Sequence, residues 1–327
     1  MPSSICDLAP ELLYVIFTFA VHDYFSSSEL VLPGQSALVT SKEVVEEYKR
    51  LNAIRRVCQH WNDIAISQPS LWTDLNASSW KHVIELSIAR SKDLPLNVAW
   101  KGSRRWSSRP TVLGQGTRIA SLSLDSVPPD VMAWVTNCPL PRLRTLRMVH
   151  TLPEKLLRAH GHQIEHLFLE RWAYADPNFP LLRALRTLSL QIVKINGVDL
   201  LNVVRSCADH LHHLRMSSVA LGYTPNTLWI PEADGYSQEK PRLLDLPFLE
   251  SLEIVSMSVE DVLGLLQNTK LPRDMAHLRV GLGDFRNVVV RNALQETVQQ
   301  ELGSDVQGGT PRVIFTVRGM RKSWISI

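Results

Sequence analysis

The chain has 327 residues, 45% hydrophobic and 20% charged, with 35 basic against 32 acidic side chains for a formal charge of +3. That length allows one large or two ordinary domains with a sizeable core, and the near-balanced charge carries no signature of a nucleic-acid or membrane-surface partner. Four scattered cysteines (Cys6, Cys58, Cys138, Cys207) without a CxxC pair exclude a disulfide framework and a cysteine zinc module; they suit a reducing compartment, so a cytoplasmic and/or nuclear location is expected.

The first expected element is an amphipathic helix through Leu12, Leu13, Ile16, Phe17 and Ala20, with Pro10 in its first turn, where the missing N–H is harmless. Its apolar run, Leu12 to Val21, is about half of what a bilayer span needs. No Lys or Arg precedes it, so it does not read as a signal peptide. Residues 21–40 contain Ser26–Ser28 and Pro33-Gly34 and read as a surface loop. A second helical pattern passes through Val44, Tyr48, Leu51, Ile54 or Arg55, Cys58, Trp61 and Ala65, with a capping box from Thr40 to Glu43, and Pro69 ends it. So small a helical segment can hardly bury Phe17, Trp61 and Trp72 alone, which points to a protein-binding face. The alternative is a subdomain whose apolar faces are only its core.

Two stretches in this segment, "LAPELLYVIF" (8–17) and "VCQHWNDIAISQPSLW" (57–72), resemble the F-box, a helical module that docks on the Skp-type adaptor of a cullin–RING ubiquitin ligase. The resemblance implies a three-helix module whose adaptor-binding residues are Leu8, Pro10, Leu13, Ile16, Phe17, Val57, Cys58, Trp61, Ile64, Leu71 and Trp72. Ala9, where many members have proline, and the 21–40 insertion depart from the family pattern. "ELSIARSKDLPLNVAW" (85–100) is similar to the helix-then-strand segment that follows the F-box in a group of fungal F-box-like proteins, with Arg90, Ser91, Pro95 and Leu96 in matching places. The expected domains are therefore 1–75 for the F-box, 76–110 for a linking helix and strand, and 111–327 for a target-binding region.

The last region repeats itself. Ile119-x-x-Leu122-x-Leu124 recurs from Leu143, Ile164, Leu185, Leu211, Leu249 and Met275, at steps of 24, 21, 21, 26, 38 and 26 residues. Five of these steps suit leucine-rich repeats, so an irregular leucine-rich-repeat solenoid is expected, giving an α+β or α/β repeat class. The place of the usual asparagine is taken by Val127, Thr151, Trp172, Val193, Val219 and Met257. The alternative is a general α/β sheet with Leu-rich strands. Helices are expected near 153–161 and 197–207, and a final strand at "RVIFTV" (312–317).

Strand alternation turns the residues between the repeated leucines outward. They include Arg147, His166, Phe168, His213, Arg215, His277 and Arg279, which suggests a face for an acidic or phosphorylated segment of a target. An ordinary solvated face is the alternative. Trp229-Ile230, in the long 222–247 insertion, is a further candidate contact.

Catalytic signals fail. The clusters His160/His162/His166 and His210/His212/His213 lack converging ligands for zinc, and no phosphate loop, dinucleotide fingerprint, nucleophile elbow or HExxH occurs. No enzyme activity, cofactor or metal is expected. The resemblance implies the substrate-recognition subunit of an SCF-type (Skp–cullin–F-box) ligase, with the adaptor, and through it the cullin, and a target protein as partners. Two alternatives stay open: a binding scaffold without a ligase role, and a metal-dependent hydrolase on the histidine clusters.

Overall fold

Each LxxLxL copy supplies one buried strand, and helices fill the intervals. A computed structural model describes residues 8–21, 41–102, 109–150, 154–172, 182–221, 244–272, 275–282 and 312–317. The chain divides into two compact units, Met1–Arg147 and Met148–Ile327. The expected loop over 22–40 and the Trp229-Ile230 candidate contact lie outside the described residues.

In the first unit, α1 (Pro10–Val21) begins where the Ala9 carbonyl accepts the N–H groups of Leu12 and Leu13. Leu13, Phe17 and Val21, one turn apart, are buried. The second helical pattern is interrupted. α2 (Ser41–Arg55) ends in a tightened turn, and Cys58 is fully extended (φ −160°, ψ 170°) before α3 (Gln59–Ser67) begins. Arg55 bridges the break, its Nε donating to Asn62 and its Nη1 to Asn52. A 3₁₀ turn, Pro69–Trp72, then folds back, and the Trp72 indole donates to the Ala65 carbonyl at 2.9 Å.

There follow β1 (Asp74–Asn76), α4 (Lys81–Arg90), β2 (Leu96–Lys101), α5 (Arg109–Leu113), β3 (Ile119–Asp125), α6 (Pro129–Asn137) and β4 (Thr145–Val149). β1 pairs in parallel with β2, and β2 with β3. The helix-then-strand expectation for 85–100 therefore matches α4 and β2. Ser91 is fully buried, and Arg118 donates to its Oγ at 2.7 Å and to the Leu94 carbonyl at 3.0 Å. That bond accounts for the serine of the phrase, while its arginine, Arg90, lies over the Trp72 ring.

The second unit holds α7 (Glu154–His160), β5 (His166–Glu170), β6 (Thr187–Gln191), β7 (Lys194–Ile195), α8 (Gly197–Arg205), β8 (His213–Ser217), β9 (Ala220–Leu221), β10 (Leu244–Asp245), β11 (Ser251–Met257), α9 (Val259–Gln267), β12 (Thr269–Lys270), β13 (His277–Leu282) and β14 (Arg312–Val317). β5, β6, β8, β11, β13 and β14 lie side by side, all parallel. β7–β9 and β10–β12 form two small parallel bridges. Asn196 caps α8, accepting from the Asp199 N–H, and Ser258 caps α9 in the same way through Asp261.

The expected fold is corrected on both counts. The N-terminal helices do not close on themselves as a three-helix module: Leu86 of α4 packs on their core, and α2 packs on β1 and β2. No solenoid forms among the described residues. The Leu-rich strands build a parallel sheet with flanking helices, an α/β fold, as in the alternative noted above. The LxxLxL spacing reports only that positions one, four and six are buried. Leu167, Leu169, Leu188, Leu190, Leu214 and Met216 are indeed almost wholly inaccessible. Any parallel sheet covered by helices asks the same of its strands.

Strand ends share one backbone device. Arg171, Ile192 and Ser218, just after β5, β6 and β8, adopt left-handed φ of 51–54°. Each N–H reaches one strand across, to the carbonyls of Gln191, Ser217 and Val255, at 2.8 Å. Trp172, Val193 and Val219, next in the chain, are buried in place of the asparagines of a regular repeat.

Candidate functional site

Of the eleven residues expected to touch the adaptor, five are in the segment's own interior. Leu13, Phe17, Ile64, Leu71 and Trp72 are buried with Val21, Leu51, Ile54 and Ala65. They hold the helices together and have no surface left to offer. Leu8, Cys58 and Trp61 are half-buried, and Trp61 packs against Phe17 in a tilted pair with ring centroids 5.0 Å apart. Pro10, Ile16 and Val57 are exposed.

The structure brings forward other residues. α1 is apolar on two sides, and among the described residues the side bearing Leu13, Phe17 and Val21 is the covered one. The other carries Leu12 (54% exposed), Val15 (46%), Ile16 (40%) and Phe19 (55%), at i, i+3, i+4 and i+7. Four large apolar side chains on one exposed stripe are the signature of a docking surface. The residues expected from the sequence include Ile16 of this stripe but not Leu12, Val15 or Phe19, and they draw Leu13 and Phe17 from the inner one. The signal was present in the all-round apolar character of "LLYVIFTFAV" (12–21). Val57, 54% exposed, sits in the turn opened by the break between α2 and α3.

The helical segment is braced from beneath the stripe. Tyr14 of α1 hydrogen-bonds Ser70 at 2.9 Å, which fixes the helix to the Pro69–Trp72 turn. The Trp72 ring lies under two guanidinium groups, Arg90 at 4.3 Å and Arg55 at 5.5 Å. Burial, with the Arg55 charge nearby, lowers the Arg90 pKa from its ordinary value. Removing Trp72 would strip both cations of their aromatic partner as well as empty the core.

The second unit carries the other expected face. Strand register aligns two rows of side chains across it. One runs His166, Thr187, His213, Ser251, His277, and the next Phe168, Ser189, Arg215, Glu253, Arg279. The two arginines do not stand open as a plain phosphate fork. Glu253 sits between them, its Oε2 3.2 Å from Arg215 Nε and its Oε1 2.8 Å from Arg279 Nη1. His166 shares a 3.0 Å hydrogen bond with Thr187, and the Nδ1 atom of His213 is buried without a hydrogen-bond partner. Burial lowers the pKa of both imidazoles, so both favour the neutral form. Arg147, the remaining expected residue of this face, lies on β4 and is the last residue of the first unit.

Among the described residues no group of three His, Cys, Asp or Glu side chains is placed to hold a metal ion, and no helix is long and apolar enough to cross a membrane. Cys207 is buried, and its thiol is pushed up to about 12 by loss of solvation. A scan of the chain against protein-family models returns no match, and comparison with curated proteins returns none either.

Proposed function

We propose that this protein is a substrate receptor of an SCF-type ubiquitin ligase, with α1 as the main part of its adaptor-docking surface. The observation that carries the reading is the uncovered stripe of Leu12, Val15, Ile16 and Phe19. It lies on the helix whose sequence, with the 57–72 segment, resembles an F-box. In water, a chain that leaves so much apolar surface on one helix gains by covering it with a partner.

In this reading the chain performs no bond chemistry. The helical segment holds the adaptor, and through it the cullin and a ubiquitin-loaded conjugating enzyme. The rest of the chain holds a target, and tethering raises the effective concentration of target lysines at the enzyme. The test is co-expression of the full chain with a Skp-type adaptor and a cullin–RING pair. Co-elution of all partners, with ubiquitin transfer to co-captured protein, is the expected result. A folded chain that elutes apart from the adaptor would overturn the reading, and adaptor capture without cullin would leave a binding scaffold.

A further inference from the structure

Arg55 and Arg90 close α2 and α4, and both guanidinium groups lie over one ring, that of Trp72. Each helix end favours a cation, because the last carbonyls of a helix carry partial negative charge. That preference places one arginine on each helix; it does not account for two cations gathered on a single indole. Trp72 is 1% exposed and belongs to the core, so the platform under them is fixed. Arg55 is held further by two neutral amides, its Nε donating to Asn62 at 3.1 Å and its Nη1 to Asn52 at 3.2 Å.

Amide oxygens orient a guanidinium without cancelling its charge. Among the described residues neither arginine is ion-paired with a carboxylate. Asp63, beside Asn62 in the chain, accepts from Gln59 at 2.7 Å and from Asn62 at 3.5 Å instead. The Nη1 atom of Arg90 is buried without a hydrogen-bond partner, which is costly for a charged donor. Both side chains are nevertheless partly exposed, so the pair can be reached from solvent. The Tyr48 phenol lies near enough to favour the charged form of Arg90, against the opposing effects of burial and of Arg55.

From this arrangement we infer that Arg55 and Arg90 form an anion site for a phosphate monoester, seated between the two guanidinium groups that Trp72 carries. Two cations without an acid are matched by one group of about −1.5 to −2 charge, which a phosphate monoester has and a single carboxylate lacks. Planar guanidinium forks suit its oxygens better than ammonium groups do. The phosphoryl group can come from a phosphorylated serine or threonine of a protein segment or from a free phosphate ester; the chemistry at the arginines is the same. The inference goes beyond adaptor docking and is tested without any adaptor, so either idea can fail alone.

The experiment uses the full chain and three probes at constant ionic strength. Inorganic phosphate is followed by titration calorimetry. A labelled Gly-Ser peptide with one central phosphothreonine, and the same peptide unphosphorylated, are followed by fluorescence anisotropy. The two phosphate probes should bind and the unphosphorylated peptide should not. Phosphopeptide binding at least tenfold tighter than inorganic phosphate identifies a protein-borne group; equal binding identifies a free phosphate ester. Arg55→Gln with Arg90→Gln should weaken phosphate binding at least tenfold. Asn52→Asp sets a carboxylate where Arg55 now meets an amide, so it should also weaken binding at least tenfold while leaving the melting midpoint unchanged or higher. Thermal melts accompany each variant, and Asn52→Asp carries the test if the double arginine variant does not fold. Absence of binding by both phosphate probes, equal binding of the unphosphorylated peptide, or unchanged phosphate binding by a folded variant would overturn the inference.

Discussion

Ile192 carries the clearest local conflict in the molecule. It is β-branched, exposed, and held at φ 54°, a region where such side chains clash with their own backbone. The conformation persists because its N–H must reach the Ser217 carbonyl, as Arg171 and Ser218 reach theirs. The strain of such a residue is about 1 kcal/mol or somewhat more. Asparagine tolerates left-handed backbone far better, so Ile192→Asn should raise the midpoint of thermal unfolding, by a few degrees for about 1 kcal/mol. An unchanged or lower midpoint would show that the exposed isoleucine contributes more by packing than it loses by strain. Nothing in the sequence marks this position, because the conformation is set by the partner strand rather than by the residue.

Among the elements, strands were the most legible. The repeated leucines located β3, β4, β5, β6, β8, β11 and β13, because burial at alternate positions leaves a direct mark on composition. What that spacing could not supply was curvature, since a solenoid and an open α/β sheet bury the same three positions. α1 shows the opposite failure: both of its stripes are apolar, so periodicity finds the helix but not which side is covered. The Cys58 break was hidden for a related reason, the apolar periodicity running on from Ile54 to Trp61 across three non-helical residues. The repeat frame already sets Arg215, Glu253 and Arg279 at one position of successive copies, but it does not show the bridge among them, because spacing gives register and not side-chain contact.

The histidine row supplies a prediction that belongs to β5 and β8 together. His166 is lowered chiefly by burial and then by Arg186, with Glu165 opposing. His213 is lowered by burial and by His212, His166 and His277, with Glu250 opposing. Below the ordinary value of 6.5 the unfolded chain therefore binds protons that the folded chain refuses. Their contribution is fully present above that pH and is lost as pH falls from 6.5 through the lower folded values. Denaturant titrations between about pH 7.5 and 5 should show stability declining with acid, and His166→Gln with His213→Gln should flatten that decline. A slope identical to wild type would assign the acid sensitivity to other groups.

At the scale of the whole molecule, the two units offer different kinds of surface. One presents exposed hydrocarbon on α1; the other presents a polar sheet face where Glu253 bridges Arg215 and Arg279. That contrast suits a protein that holds two partners by different physics. Apolar burial is insensitive to salt, whereas ion pairing at a solvent-open face weakens as the Debye length shortens. In the proposed reading, adaptor binding through α1 should therefore change little with added salt, which co-elution at low and high salt checks.

The central claim is that the outer stripe of α1, and not the inner one, meets the adaptor. The most direct measurement is titration calorimetry of a Skp-type adaptor against the full chain and its Val15→Ser plus Phe19→Ser variant, with circular dichroism melts alongside. Removing two such anchors should take away about 2–4 kcal/mol of binding, at least roughly 30-fold in affinity, with the melting midpoint nearly unchanged. Tight wild-type binding that survives both substitutions in a folded variant would contradict the account and place any adaptor contact elsewhere on the chain.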